Sequence, residues 1–159
     1  MFFRQITSVF LTIIATCGLL YAQPTPADSF FVKQHYIKKE LRIPMRDGIH
    51  LFTAVYLPKD TTKTYPILVM RTPYSVAPYG ESRDKVPLGP NMQFTHEGFI
   101  FVYQDIRGKY LSEGDFVAVR PYIPDKRGRQ DVDESSDAYD TIDWLLKNIK
   151  GHNGRVGIW

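Results

Sequence analysis

Hydrophobic and polar positions change rhythm several times along this chain, and each rhythm predicts a different element. Residues 9–20 are mostly apolar, with Val9, Phe10, Leu11, Ile13, Ile14, Ala15, Leu19 and Leu20. Tyr36–Pro44 alternates apolar and polar residues, and so does the stretch 49–57, where Ile49, Leu51, Thr53, Val55 and Leu57 share one face. Arg46-Asp47-Gly48 lies between them. Asp-Gly between two alternating runs predicts an antiparallel hairpin. Three unbroken apolar runs follow at 65–70, 99–103 and 156–159. Short continuous runs suit strands buried on both faces of a parallel sheet. Between the last two, residues 133–150 carry Ala138, Ile142, Leu145 and Ile149 on one helical stripe. Acids (Asp133, Glu134, Asp137) open this segment and Lys147 and Lys150 close it before Gly151, as a helix dipole favours. A shorter helix is expected at 91–97, ending at Gly98.

Hairpin first, then strands alternating with helices, predicts an α/β sheet with an antiparallel edge. Only three strands are expected to be parallel. The run 156–159 reads as a central strand with no crossover helix after it, which leaves an open face. The expectation is that the domain is incomplete and continues past Trp159. Exposed apolar faces at 99–103 and 156–159 should then promote association.

The first apolar run changes the picture of the N-terminus. A short segment with Arg4, then the run, then Leu20-Tyr21-Ala22, has the form of a secretory signal cleaved after Ala22. The run is short for a membrane span, which needs about 20 apolar residues. Lipid attachment at Cys17 is a weaker alternative, since the large Thr16 precedes it. The protein is thus expected to be exported, to the periplasm or beyond, touching a membrane only through this signal. Residues 23–35 begin polar and proline-bearing and read as a mobile leader, and 36–159 as the folded part.

Composition narrows the function classes. The chain has 159 residues, 43% of them hydrophobic, too apolar for a disordered tail. Its 20 basic residues are interleaved with 17 acidic ones, which argues against a nucleic-acid surface. One cysteine excludes an internal disulfide and any multi-cysteine metal site. His35, His50, His96 and His152 have no metal-ligand spacing, and no metal or cofactor is expected.

Ligands of open α/β sheets bind at the carboxyl ends of the strands. Two loops leave such ends here: Arg71-Thr72-Pro73-Tyr74, and the stretch from Gln104-Asp105-Ile106-Arg107-Gly108-Lys109-Tyr110 through Ser112-Glu113-Gly114-Asp115-Phe116. With Pro44-Met45-Arg46-Asp47-Gly48, Asp133-Glu134, Asp137-Ala138, Asp140-Thr141-Ile142-Asp143-Trp144-Leu145 and Asn153-Gly154-Arg155-Val156-Gly157, they carry a resemblance over about residues 36–159. The sequence resembles the cocaine-esterase/X-prolyl dipeptidyl-peptidase (CocE/NonD) family of serine hydrolases. Within it, the chain looks most like the α-amino-acid ester hydrolases and glutaryl-acylase-type members. Each motif alone is weak, and their order and spacing together are specific.

The resemblance implies the N-terminal part of an α/β-hydrolase fold. In the family, the Asn-Gly-Arg-Val-Gly strand runs into a Gly-x-Ser-Tyr-x-Gly nucleophile elbow. The implied serine would come about three residues after Trp159, and the acid and histidine later still. The fragment alone is then expected to be inactive. What this part would supply, by the resemblance, is one oxyanion-hole donor: the hydroxyl of Tyr74, from the loop after the first parallel strand. Such a donor is worth about 3–4 kcal/mol in the transition state. Candidate substrates are small molecules or short peptides: α-amino-acid esters, acyl or β-lactam side-chain amides, and Xaa-Pro dipeptides. The full-length protein is expected to be a homo-oligomer.

Other polar residues have plainer readings. Asp105 and Arg107 either line the substrate site or tie their loop together, and the second is favoured. Glu134 and Asp137 read as first-turn helix charges, and Trp144 and Trp159 as core or interface residues. The stretch 79–90, with Pro78, Pro87, Pro90, Gly80 and Gly89, reads as a surface loop near the site. Ser112, Ser135 and Ser136 lack a Gly-x-Ser-x-Gly setting and are not nucleophile candidates. Two functions stay open: an exported hydrolase, or a non-catalytic exported binding or remnant domain with the same fold.

Overall fold

A computed structural model describes residues 24–159. The signal segment, Cys17 and the cleavage position near Ala22 lie outside the described residues.

The first described element corrects the expected leader. Residues Pro26–His35 form helix α1. Its start is fixed by a capping box, in which Thr25 accepts from the Asp28 N–H while the Asp28 carboxylate accepts from the Thr25 N–H. Pro26 suits the first turn, where an N–H has no helical partner. Val32 is buried against the sheet. The polar composition of 23–29 hid a helix that one apolar face and a cap suffice to hold.

Strands β1 (Tyr36–Pro44) and β2 (His50–Pro58) form the expected antiparallel hairpin. Its turn closes through the Gly48 N–H on the Met45 carbonyl, and Gly48 has φ 95°, a left-handed conformation that glycine adopts freely. Strand β3 (Tyr65–Thr72) precedes the short helix α2 (Met92–Glu97), capped by Asn91. Strand β4 (Ile100–Asp105), helix α3 (Glu134–Asn148, capped by Asp133) and strand β5 (His152–Ile158) complete the chain. The sheet order is β1-β2-β4-β3-β5. Strands β3, β4 and β5 are parallel, and β2 meets β4 antiparallel. This is a mixed α/β sheet with an antiparallel edge, as the sequence predicts.

Two expectations need correction. The alternation of 49–57 predicts one buried face, yet Leu51, Phe52, Thr53, Ala54, Val55 and Tyr56 are all buried. Strand β2 is interior, so both its faces are covered. Among the described residues β5 pairs with β3 alone and is mostly exposed, which fits the open face expected there. By contrast β4 is buried along its whole length, so residues 100–103 offer no open apolar face. The exposed apolar residues of this region are Ile158 and Trp159, at 58% and 36%.

Each face of the sheet has its own core. On one, Ile43, Leu51, Val55, Ile67, Val69 and Val102 pack with Leu145 of α3, flanked by Trp144 and Ile149. On the other, Phe52, Tyr56, Phe101 and Tyr103 pack with Val32 of α1 and with Val76 and Leu88 of the long β3–α2 connection.

Candidate active site

The carboxyl ends of β3 and β4 lie side by side, with Thr72 paired to Asp105. The two loops singled out in the sequence therefore leave the sheet together. Tyr74 follows β3, and its N–H donates to the Thr72 hydroxyl at 3.1 Å. Its side chain is 84% exposed. Its hydroxyl makes no hydrogen bond to any described residue. The next residue, Ser75, has φ 75°, a left-handed conformation that a non-glycine residue holds only when its surroundings impose it.

Asp105 supplies part of that imposition. It is fully buried. One carboxylate oxygen accepts the Val76 N–H at 3.0 Å and the other accepts the Tyr79 hydroxyl at 2.9 Å. The Tyr79 oxygen lies 2.9 Å from the Ser75 hydroxyl. Burial pushes the Asp105 carboxyl above its ordinary range, against the pull of the Tyr79 and Val76 donors. The loop-tying reading of Asp105 thus describes its contacts.

Beneath the loops lies a buried ionic network. Arg107 grips Asp137 through Nε (3.0 Å) and Nη2 (2.7 Å), and Asp47 through Nη1 (2.6 Å). Burial works against the Arg107 charge, but hydrogen bonds to Asp137 and Asp47 raise its pKa further above the usual arginine value. Arg71 lies beside it, bonded to the Gln104 side-chain oxygen at 2.7 Å and to Glu134 at 3.1 Å. Its pKa is lowered, chiefly by burial. Asp137 does lie in the first turn of α3, as the sequence reading has it, and its side chain is in addition wholly buried as the partner of Arg107. Glu134 does sit in the first turn, but it also pairs with Arg71. Gln104, fully buried, joins Thr53 of β2, Arg71 of β3 and Thr141 of α3 through one amide.

The loop between β3 and α2 is anchored rather than loose. The Lys38 ammonium, with its side chain only 1% exposed, donates to the carbonyls of Pro78 (2.6 Å), Gly80 (3.0 Å) and Arg83 (3.1 Å) and pairs with Glu40. The Tyr56 hydroxyl accepts the Lys85 N–H, and the Tyr103 hydroxyl accepts the Gly89 N–H. Burial raises the pKa of both phenols. Sequence reasoning passed over Lys38, although it shares the strand parity of buried Tyr36. It also passed over Ser75, and took Tyr79 only as the start of a surface loop.

The serines set aside in the sequence all have structural partners. Ser112 donates to the Asp105 carbonyl and accepts from the Phe52 N–H. Ser135 and Ser136 serve the α3 cap. The histidines are dispersed: His50 faces Glu113, His35 and His152 bond backbone carbonyls, and His96 packs on Phe31. Trp144 packs against the core, and the Trp159 ring meets Tyr103 edge-on at 5.7 Å.

Comparisons with known proteins fit this architecture. The chain is 31% identical over 125 residues to a cocaine esterase from Rhodococcus sp. (strain MB1 Bresler), covering 77% of this chain and 19% of that protein. It is similar to the structure of an α-amino acid ester hydrolase, with 40% identity, a TM-score of 0.63, and coverage of 89% of this chain and 23% of that one. An aminopeptidase from a marine sediment Thaumarchaeota archaeon gives 35% identity, a TM-score of 0.62 and the same coverages. A CocE/NonD family hydrolase from Staphylococcus aureus, 21% identical with a TM-score of 0.54 over 77% of this chain and 22% of that one, shares the fold. The chain therefore spans about a fifth of the length of these relatives. The profile of the X-Pro dipeptidyl-peptidase (S15) family matches residues 47–159, and with this fold and these relatives the chain belongs to that family.

Proposed function

We propose that this chain is the N-terminal part of an exported serine hydrolase that cleaves an ester or amide bond through an acyl-enzyme. Tyr74 is its oxyanion-hole donor.

The observation that carries this reading is the register of β5. Ile158 stands level with Val69 of β3, and the Trp159 N–H already bonds the Val69 carbonyl at 3.2 Å. Each strand residue advances about 3.3 Å. A strand prolonged by about three or four residues comes level with the Thr72–Tyr74 turn. A nucleophile elbow there would put its serine beside an exposed tyrosine hydroxyl that has no other hydrogen bond among the described residues. That is the juxtaposition acyl transfer needs: a nucleophile and an oxyanion donor flanking one carbonyl. Ser112, Ser135 and Ser136 are committed to structural hydrogen bonds, and no serine of the chain has a Gly-x-Ser-x-Gly setting, so residues 1–159 alone are inactive on this reading. The relatives named as a cocaine esterase, an α-amino acid ester hydrolase and an aminopeptidase support a substrate that is an ester or an amide, with α-amino-acid esters, acyl amides and Xaa-Pro peptides as candidates.

Turnover of p-nitrophenyl esters tests the proposal. The full-length enzyme should release nitrophenol, and Tyr74→Phe should lower its kcat. The 159-residue chain should release none. Burst release by that chain, or full activity of the Tyr74→Phe enzyme, overturns the corresponding assignment. A full-length protein that binds but never turns over such acyl compounds would be a non-catalytic domain instead.

A further inference from the structure

We infer that Asp105 and Tyr79 are positioning residues for Tyr74, acting as a buried clamp on the backbone that presents it. The inference rests on the oxyanion reading of Tyr74 and names what holds that hydroxyl in place.

Tyr74 has an exposed side chain with no partner of its own among the described residues. Its position therefore depends on its backbone. On its N-terminal side the backbone is fixed by strand β3 and by the Thr72 hydroxyl. On its C-terminal side it enters the left-handed turn at Ser75. Such a turn is strained in a residue with a Cβ, and something must hold it.

The Asp105 carboxylate does so from the neighbouring strand. Its two oxygens take the Val76 N–H and the Tyr79 hydroxyl. Because the Tyr79 proton goes to Asp105, the Ser75 hydroxyl donates to the Tyr79 oxygen, and it accepts the Ala77 N–H at 3.2 Å. The directions are consistent throughout: Ser75 to Tyr79 to Asp105. One buried carboxylate thereby fixes both residues that follow Tyr74. Asp105 is itself anchored, since its carbonyl accepts the Ser112 hydroxyl at 2.6 Å and β4 holds it level with Thr72. A polar chain of this kind is worth building only where position matters, because a buried carboxylate is costly without full hydrogen bonding.

The test is a double-mutant cycle on the full-length enzyme, with Tyr79→Phe, Tyr74→Phe and both together, read as kcat and KM for a p-nitrophenyl ester. Tyr79→Phe removes one hydroxyl from a half-buried ring, so the fold should persist. The clamp predicts that it lowers kcat by about 10- to 100-fold with KM little changed, since misplacing a catalytic group by an ångström costs that much. It also predicts no further loss when Tyr79→Phe is added to Tyr74→Phe. Asp105→Asn, which keeps an acceptor for Val76 but reverses the polarity toward Tyr79, should repeat the kcat loss. Three results overturn the inference. If Tyr79→Phe and Asp105→Asn leave kcat unchanged while Tyr74→Phe lowers it, the clamp is wrong and the oxyanion reading stands. If Tyr79→Phe lowers kcat equally in both backgrounds, Tyr79 acts independently of Tyr74. If Tyr74→Phe itself has no effect, the oxyanion reading fails and the clamp's role falls with it.

Discussion

The guanidinium of Arg107 and the carboxylate of Asp137 meet in a two-pronged contact, at 3.0 Å and 2.7 Å, with neither side chain more than 5% exposed. Thirty residues apart in the chain, they lock the loop after β4 to the first turn of α3. Asp47, from the β1–β2 turn, joins from the other side. The signature positions of three separate motifs thus converge on one buried charge cluster below the candidate site.

That cluster should be intolerant of single losses. Removing one partner of a buried pair strands the other charge, at a cost of about 3–5 kcal/mol. Arg107→Met is expected to destabilise by this amount in urea denaturation. Combining Arg107→Met with Asp137→Leu should recover part of it, because one of the two stranded carboxylates is gone while Asp47 remains. A double variant as unstable as the single one would mean that the pair acts mainly through shape.

Acid sensitivity should be concentrated at Asp133. Burial acts against its charge, but the Ile123 N–H, the Lys126 ammonium and the serine donors of the α3 cap together hold its pKa well below the ordinary value of 3.8. A carboxyl with a depressed folded-state pKa adds stability that is present above 3.8 and lost as pH falls toward the folded value. Denaturation measured from pH 5 down to pH 2 should therefore show a shallower loss for Asp133→Asn than for the parent. Asn retains the cap, whereas Asp133→Ala should cost about 1–2 kcal/mol at neutral pH.

The Lys38 anchor makes a prediction about dynamics. Lys38→Met removes the ammonium that joins the Pro78, Gly80 and Arg83 carbonyls and pairs with Glu40, leaving the Gly80 carbonyl only the Arg83 N–H and Glu40 only the Gly80 N–H. A loss of about 2–4 kcal/mol is expected, together with faster amide exchange at residues 79–85. Unchanged exchange there would show that Tyr56 and Tyr103 suffice to hold the loop.

Gly108 offers a purely steric test. It has φ 68°, and a Cβ at this position would collide with the backbone of Asp115 and Phe116. Gly108→Ala should destabilise by at least about 2 kcal/mol, from left-handed strain plus the clash. A thermal melt equal to the parent would mean that the 108–116 loop can move aside.

Much of this was legible in the sequence. The hairpin, the two apolar runs that become β3 and β4, and the helix near 134–148 follow from periodicities within a few residues. Helix α1 was also signalled, by Thr25-Pro26-Ala27-Asp28 ahead of Phe30-Phe31-Val32, but its polar start masked it. Lys38 was readable only by trusting strand parity over the usual exposure of lysine.

By itself the sequence determined the order and kind of the elements, and the family motifs that mark the two loops, because caps, turns and hydrophobic period are local properties of the chain. Only the tertiary structure decided which polar residues meet. Asp105 reaches Tyr79 across 26 positions, and Arg107 reaches Asp47 across 60. These meetings depend on the order β1-β2-β4-β3-β5, which seats β4 between β2 and β3 although β3 precedes it in the chain. Burial then converts charges that would be solvated on a lone helix or loop into partners that must find one another.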